Sequence, residues 1–316
     1  MTILGMGEAL VEFLRISDEN TPTDSTPSSN RPIYRQGFGG DTSNAIIAAT
    51  RQGATTGYIT AVGGDPLGHE LMQLWESEGV DTTTVRQHAT DPTGAYFVQP
   101  HASGRSFSYA RRGSAASHYE KDHLPLNAIG DAEALHTSAL TMAISDSMRE
   151  AVLKACQHAK AHNTLVSFDT NLRLNLWDLD TARAAIEKLL PLIDIVFPSD
   201  DEAAQLCGSD NEQDAINYFK QFDPKIIVMT KGAEGAVVHT TDTVFNVAAK
   251  PAKAVDSTGA GDSFAGSFLA HYLETKDIEH AANCAATTAA IAVSGYGAID
   301  PLPDRKTVLS RLSACN

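Results

Sequence analysis

Six short runs rich in aliphatic and β-branched residues recur along the chain: TILGMG, GYITAV, EALHTSA, TLVSFD, IDIVFPS and KIIVMT. Longer stretches such as PLGHELMQLWESEG and DSMREAVLKACQHAKAH lie between them and read as amphipathic helices. This alternation limits the fold more than any other feature. Short apolar runs bounded by turn residues are strands buried on both faces, and strands separated by helices pair in parallel. The chain is therefore expected to be α/β, with a mostly parallel central sheet covered by helices on both sides.

Two places break the rhythm. Residues 12–36 hold the polar SDENTPTDSTPSSNRP between VEFLRI and IYRQGF, and 93–110 read TGAYFVQPHASGRSFSYA, two β-rich runs around a glycine-containing turn. With 316 residues and 42% hydrophobic content, the chain can bury one large core or one core plus a smaller lobe. The reading is one domain, 1–316, with a lid of a few antiparallel strands from about 12–36 and 93–112; the alternative is a pair of long surface hairpins.

Charge and cysteine usage exclude several classes. No stretch approaches eighteen consecutive apolar residues, so no transmembrane helix is expected. The opening MTILGMGEALVEF lacks a basic start and is interrupted by Glu8 and Glu12, unlike a secretory signal. Cys156, Cys207, Cys284 and Cys315 stand far apart with no CxxC pair, as in reduced cytoplasmic proteins. The formal charge of −15 argues against a nucleic-acid surface. It also requires any anionic ligand to be met by local positive groups.

The stretch AVDSTGAGDSFAGSFLA, residues 254–270, carries the chemistry. Asp256, Ser257 and Thr258 are turn and cap residues, and Phe264, Phe268 and Leu269 recur at helical spacing. Gly259-Ala260-Gly261 would let backbone N–H groups approach a ligand, and a helix start is an anion site. Asp262 beside such a cradle is either a base for a hydroxyl that attacks the anion or a plain helix cap. A second glycine turn, GFGGDTSNAIIAATRQG at 37–53, leads through Thr42 and Ser43 into a helix ended by Gly53. There Gly39-Gly40 would let a ligand lie against the backbone, and Asn44 would grip a hydroxyl. Gly5-Met6-Gly7 lacks the third glycine of a dinucleotide fingerprint, which disfavours a nicotinamide oxidoreductase, and no GxxxxGK[ST] loop is present.

Ligands in open α/β sheets bind beyond the carboxyl ends of strands. After TLVSF, Asp169, Asn171 and Arg173 alternate and would project to one side, unless Arg173 only pairs with Asp169. After IDIVF, PSDDEAAQLCG places Asp200 and Asp201 where first-turn charges favour a helix dipole.

GGDTSNAIIAATRQGATTGYITAVGGDPLG and DSTGAGDSFAGSFLA resemble, in order and separation, the two signature regions of the ribokinase-like (PfkB) carbohydrate kinases. The resemblance spans essentially the whole chain. It implies a Rossmann-like sheet with a β lid, ATP and Mg²⁺, and phosphoryl transfer to a sugar hydroxyl. By the family pattern Asp262 is the base, and Gly259, Ala260 and Gly261 form the anion hole, in keeping with what phosphoryl transfer asks of a protein. Gly40 and Asn44 would lie at the sugar, and Asn171, Arg173, Thr230, Gly232 and Gly235 at phosphate and ribose. Asn283 and Ala286 would line the adenine slot, and the stretch ending Gly297-Ala298 would close a monovalent-cation (K⁺) site. The family's metal-linked Asn-x-x-Glu is altered to Ser199-Asp200-Asp201-Glu202: Glu202 keeps a water-mediated part in holding Mg²⁺, and the role of Ser199 is open.

Tyr109, Arg111 and Arg112 close the presumed lid strand. Two lid arginines plus Arg173 suit an acidic sugar, because a guanidinium pairs bidentately with carboxylate. Together with Asp-x-Asn-x-Arg-x-x-Leu-Trp and Pro-Ser-x-x-Glu, this pattern resembles the 2-keto-3-deoxygluconate kinases within the family. The implied reaction makes the 6-phosphate from 2-keto-3-deoxy-D-gluconate and ATP. The alternatives are a fructokinase or other ketose kinase and, in a different class, a non-catalytic sugar- or nucleotide-binding module. Pairing into dimers through the lid follows from the family analogy.

Overall fold

The apolar runs form the middle of a nine-stranded sheet in the structure, a computed structural model that describes residues 2–16, 32–101 and 104–314. In spatial order its strands are Val244–Val247, Ala236–Thr240, Ile226–Thr230, Ile195–Phe197, Leu165–Asp169, Ala134–Ser138, Thr2–Met6, Thr55–Gly63 and Val85–His88. From Ile226–Thr230 to Val85–His88 neighbouring strands run parallel; the first two, at the other edge, pair antiparallel. The strand Val85–His88 was not legible in the sequence, because three of its four residues are exposed and polar.

Alternation along the strands feeds two cores. Leu4 and Met6 pack with Ile227 and Met229 on one face, whereas Ile3 packs with Ile226 and Val228 on the other. Helices Asp146–Ala161, Leu179–Leu189, Asp200–Cys207 and Glu212–Lys220 cover the first face. Helices Asp41–Arg51, Pro66–Glu78, Ala260–Thr275 and Ile278–Ala292 cover the second. Helix Pro66–Glu78 starts at Asp65, whose carboxylate accepts from the Gly68 N–H at 2.8 Å, and ends at left-handed Gly79. Its Trp75 is fully buried and donates to Ser43 Oγ at 2.9 Å, which ties it to helix Asp41–Arg51. Burying one such side chain is worth about 1.5–3 kcal/mol.

A second sheet of four strands, Ile33–Gly39, Leu10–Ile16, Ala95–His101 and Gly104–Ala110, stands at the carboxyl edge of the first. It joins the two irregular stretches into one sheet, not two separate hairpins. The expectation of antiparallel strands needs one correction, since the central pair, Leu10–Ile16 and Ala95–His101, is parallel. Each of these strands follows a strand of the parallel sheet, Thr2–Met6 and Val85–His88, and leaves it by the same edge. The polar segment 17–31, residues 102–103 and Cys315 lie outside the described residues.

Candidate active site

The carboxyl ends of the parallel strands, the second sheet and the start of helix Ala260–Thr275 enclose a cleft of about 570 Å³. Of the residues singled out by sequence, Gly40, Tyr109, Arg111, Asn171, Arg173, Glu202, Thr230, Gly259, Ala260, Gly261 and Asp262 line it. Arg112 does not: the strand ends at Ala110, and Arg112 is exposed in the turn that follows while its neighbour Arg111 turns inward.

The glycine turn is rigidly set. Gly259 is left-handed (φ 76°), and a Cβ there would stand 2.8 Å from that of Ala298. Asp256 accepts from the Thr258 N–H at 3.1 Å and hydroxyl at 2.7 Å, and from the Gly297 N–H at 3.1 Å. No side chain caps the helix that follows, so its first-turn N–H groups keep their capacity to meet an anion. Among the three proposed anion-hole groups, the Ala260 N–H already donates to the Ser257 carbonyl at 3.2 Å. At Gly261 a side chain would enter open space in the cleft mouth, so glycine there keeps room for a ligand.

Gly266, one turn further on, decides where Asp262 points. A Cβ at 266 would lie 1.9 Å from the Ala45 carbonyl oxygen, so only glycine lets helices Ala260–Thr275 and Asp41–Arg51 approach this closely. That approach brings Asn44 Nδ2 to Asp262 Oδ2 at 2.8 Å. Asn44 is therefore beside the aspartate and not in the open cleft; its Oδ1 is buried with no partner. Helix Asp41–Arg51 begins at Gly40. A φ of 118° there, and a Cβ that would stand 2.4 Å from the Glu8 carbonyl oxygen, exclude any other residue.

Acidic groups crowd this floor. Burial, then the Asp41 carboxylate, pushes Asp262 up to about 7, against the pull of Asn44 and Arg173. Asp169 is raised as well, by burial and by Glu202, Asp262 and Asp41. A half-buried carboxyl titrating near neutrality can take a proton from a hydroxyl, which a simple exposed cap would do poorly. Asp41 went unnominated in the sequence; it accepts from Asn171 Nδ2 at 2.8 Å and from the Thr42 N–H at 2.8 Å. Arg173 lies 3.9 Å from Glu202, not paired with Asp169, and is 52% exposed, so its guanidinium remains available.

Ser199 finds its role in helix geometry. It caps helix Asp200–Cys207, accepting from the Glu202 N–H at 3.2 Å, while Glu202 Oε2 accepts from the Ser199 N–H at 3.3 Å. Thr170 Oγ1 (2.6 Å) and the Leu172 N–H (2.9 Å) complete the grip on Glu202. Asp200 and Asp201 are first-turn charges that face away from the cleft.

On the lid side, Arg111 is ion-paired with Glu8, a residue from the loop after Thr2–Met6 that is 1% exposed. Ser114 Oγ donates to Glu8 at 2.8 Å. Burial raises the Glu8 carboxyl while Arg111 and Ser114 pull it back. Arg111 also stands 5.8 Å from the Tyr109 ring centroid. Sequence reasoning missed Glu8 because its partner lies over a hundred residues away in the chain.

Thr230 reaches the cleft, but Gly232, Gly235, Asn283 and Ala286 lie beyond its lining. Gly232 and Gly235, both at positive φ, shape the turn after Thr230, where a Cβ at 235 would be 2.0 Å from the Val247 carbonyl. Asn283 Oδ1 accepts from Lys250 Nζ at 2.8 Å, three residues past Val247, so these groups border the same end of the sheet.

Comparison with known proteins gives a consistent picture. Residues 3–305 match the pfkB family carbohydrate kinase profile. The 2-dehydro-3-deoxygluconokinase of Thermoproteus tenax is 33% identical, over 99% of this chain and 95% of that enzyme. A fructokinase of Escherichia coli is 32% identical over 86% of this chain and 91% of its own length. Among solved structures, an Escherichia coli protein described as a ribokinase II, in complex with ATP and Mg²⁺, superposes with a TM-score of 0.88 at 27% identity, covering 99% of both chains.

Proposed function

The chain belongs to the pfkB family of carbohydrate kinases, and from that premise we propose that it phosphorylates the 6-hydroxyl of 2-keto-3-deoxy-D-gluconate with ATP. The observation that carries the substrate reading is the pair Arg111 and Arg173, both lining the cleft that Asp262 floors in a chain of charge −15. A sugar carboxylate is the natural partner of such guanidinium groups.

In this reading Asp262 takes the proton of the 6-hydroxyl as that oxygen attacks the γ-phosphorus. The bond from phosphorus to the bridging oxygen breaks, and ADP leaves with the electron pair. The N–H groups of Gly259 and Gly261 face the charge on the moving phosphoryl group, with Ala260 contributing less because of its bond to Ser257. Asn44 holds Asp262 in line, and Gly40 leaves the sugar room. Asn171 and Thr230 serve the phosphates, Arg173 stands between phosphate and sugar carboxylate and serves both, and Gly232, Gly235, Asn283 and Ala286 serve the nucleoside. The oxygen-rich donor set suits Mg²⁺, which Glu202 would hold through water. Bound Mg²⁺ supplies positive charge to the triphosphate, for which this chain has no phosphate-loop lysine.

A ketose kinase is the second reading, favoured by one observation: Arg111 already spends charge on buried Glu8. A substrate panel with ATP separates them. We expect the highest kcat/KM with ketodeoxygluconate, less with fructose and least with ribose or adenosine, and no turnover in EDTA. A preference for fructose would sink the acidic-sugar reading and leave the kinase. No turnover with any sugar would favour a binding module. Pairing of two chains through the second sheet, which exposes Tyr34 and Phe97, is part of the same proposal.

A further inference from the structure

On the far side of helix Ala260–Thr275 from its glycine turn, three side chains converge that phosphoryl transfer does not use. His271 lies in that helix; His280 and Cys284 lie four residues apart on helix Ile278–Ala292, and so share one face. One ring nitrogen of each histidine and the Cys284 Sγ are all within 4.8 Å of one another. The two rings meet edge to face at 5.4 Å, and His280 Nε2 is 3.5 Å from Cys284 Sγ. Zinc bonds of about 2.3 Å to sulfur and 2.0–2.1 Å to nitrogen, at tetrahedral angles, need an N–S separation of roughly 3.5 Å. One edge of a coordination tetrahedron is already in place.

The hydrogen bonds around His271 give the second observation. Gln52 Nε2 donates to the Pro303 carbonyl at 2.9 Å, which leaves Gln52 Oε1 facing His271 Nε2 at 3.3 Å. Nε2 therefore carries the ring hydrogen, and Nδ1 keeps a lone pair. That Nδ1 is buried with no partner, in a residue with no exposed surface. A buried imidazole with an acceptor on one nitrogen and an unused lone pair on the other is arranged as a metal ligand is. A thiol-to-imidazole hydrogen bond would account for His280 and Cys284 but leaves His271 orphaned. Arg305 is near, and its charge is matched by its ion pair with Glu274.

The geometry points to a zinc site formed by His271, His280 and Cys284, with water as the fourth ligand. Binding transfers the Cys284 thiol proton to solvent and forms the Zn–S bond, with no change of oxidation state. Such an ion clamps helix Ala260–Thr275 to helix Ile278–Ala292. Asp262 is nine residues from His271, roughly 14 Å along the helix axis, so the ion acts on the scaffold and not on the reacting atoms.

Chelator-treated, dialysed protein titrated with Co²⁺ tests this. One equivalent should produce a thiolate-to-cobalt charge-transfer band and tetrahedral visible absorption, which Zn²⁺ displaces; Zn²⁺ should also raise Tm. Cys284→Ser should abolish the band and the Tm shift, while Cys207→Ser keeps both. Should Cys284→Ser fail to fold, His280→Gln, at a partly exposed position, decides the matter by at least a tenfold loss of Co²⁺ affinity. No charge-transfer band in the natural protein, or an unchanged band in Cys284→Ser or His280→Gln, overturns the site.

Discussion

The two walls of the cleft are made from different materials. The wall at helix Ala260–Thr275 is mostly backbone: a left-handed glycine, an uncapped helix start and one carboxylate placed by helix packing. The lid wall is side chain: Tyr109 and Arg111 reach in from the small sheet, and Arg111 is anchored on buried Glu8 from the loop that joins the two sheets. A backbone wall can bind any phosphoryl donor alike, since every residue offers the same N–H. The side-chain wall holds whatever discrimination the cleft has between one sugar and another. Changes on the first wall should therefore injure every substrate, and changes on the second should injure some more than others.

The largest effect is expected on the backbone wall. Asp262→Asn keeps the shape of the carboxylate and an acceptor for Asn44, but not the capacity to take a proton. It should lower kcat by roughly 10²–10⁴-fold with KM for sugar little changed, and to the same extent for each substrate. Steady-state kinetics that show near-natural turnover would return Asp262 to the role of a cap and dissolve the contrast.

Next in size is Arg111→Ala on the lid wall. Loss of a charge-assisted contact worth about 1.5–3 kcal/mol should reduce kcat/KM for ketodeoxygluconate by on the order of 10–100-fold. A neutral ketose should suffer much less. The ion pair adds a complication that the kinetics alone would hide, because truncating one partner leaves Glu8 buried with no counter-charge. Such breaks cost about 3–5 kcal/mol, so Tm should fall sharply. Adding Glu8→Gln to Arg111→Ala should restore much of the Tm without restoring activity on the acidic sugar. Arg112→Ala, exposed and outside the cleft, should change neither. Equal kinetic losses on acidic and neutral sugars would mean that Arg111 only props the lid.

The same contrast explains what was legible in the sequence. Gly259, Gly261, Asp262 and Gly40 could be read because each is needed by its own few neighbours: a turn, a helix start, a positive φ. The central strands could be read because burial on both faces writes continuous apolar runs. Glu8 and Asp41 could not, since their meaning lies in Arg111, Asn171 and Asp262, which are distant in the chain. Ser199 is intermediate. Its capping box with Glu202 follows a local spacing of three, yet the departure from the family's asparagine drew attention away from it. The parallel central pair of the small sheet was hidden for a topological reason, because strand direction depends on which edge of the large sheet the chain leaves.

The smallest effect is thermodynamic, and it tests whether the backbone wall strains its own carboxylate. Asp262 is held at about 7 in the folded protein, against about 3.9 for an unfolded chain. Between those values the folded protein keeps a proton that the unfolded chain has lost. Stability from this group is therefore fully present below about pH 4 and is lost as pH rises through 7. Asparagine does not titrate, so Asp262→Asn escapes the loss. Its Tm should exceed that of the natural protein at pH 8, and the gap should narrow steadily toward pH 4. Asp169 is raised in the same direction and partly by the Asp262 charge itself, so its own upward shift shrinks in the variant and adds to the gap with the same sign. Catalysis supplies a matching signature: kcat/KM of the natural enzyme should rise with pH through about 7 as the base ionises. A variant less stable than the natural protein at every pH would mean that the ionised carboxylate is welcome in its site. Solvent and the helix start would then outweigh the crowding by Asp41, and the wall would be a cradle for charge of either kind and not one reserved for the phosphoryl group.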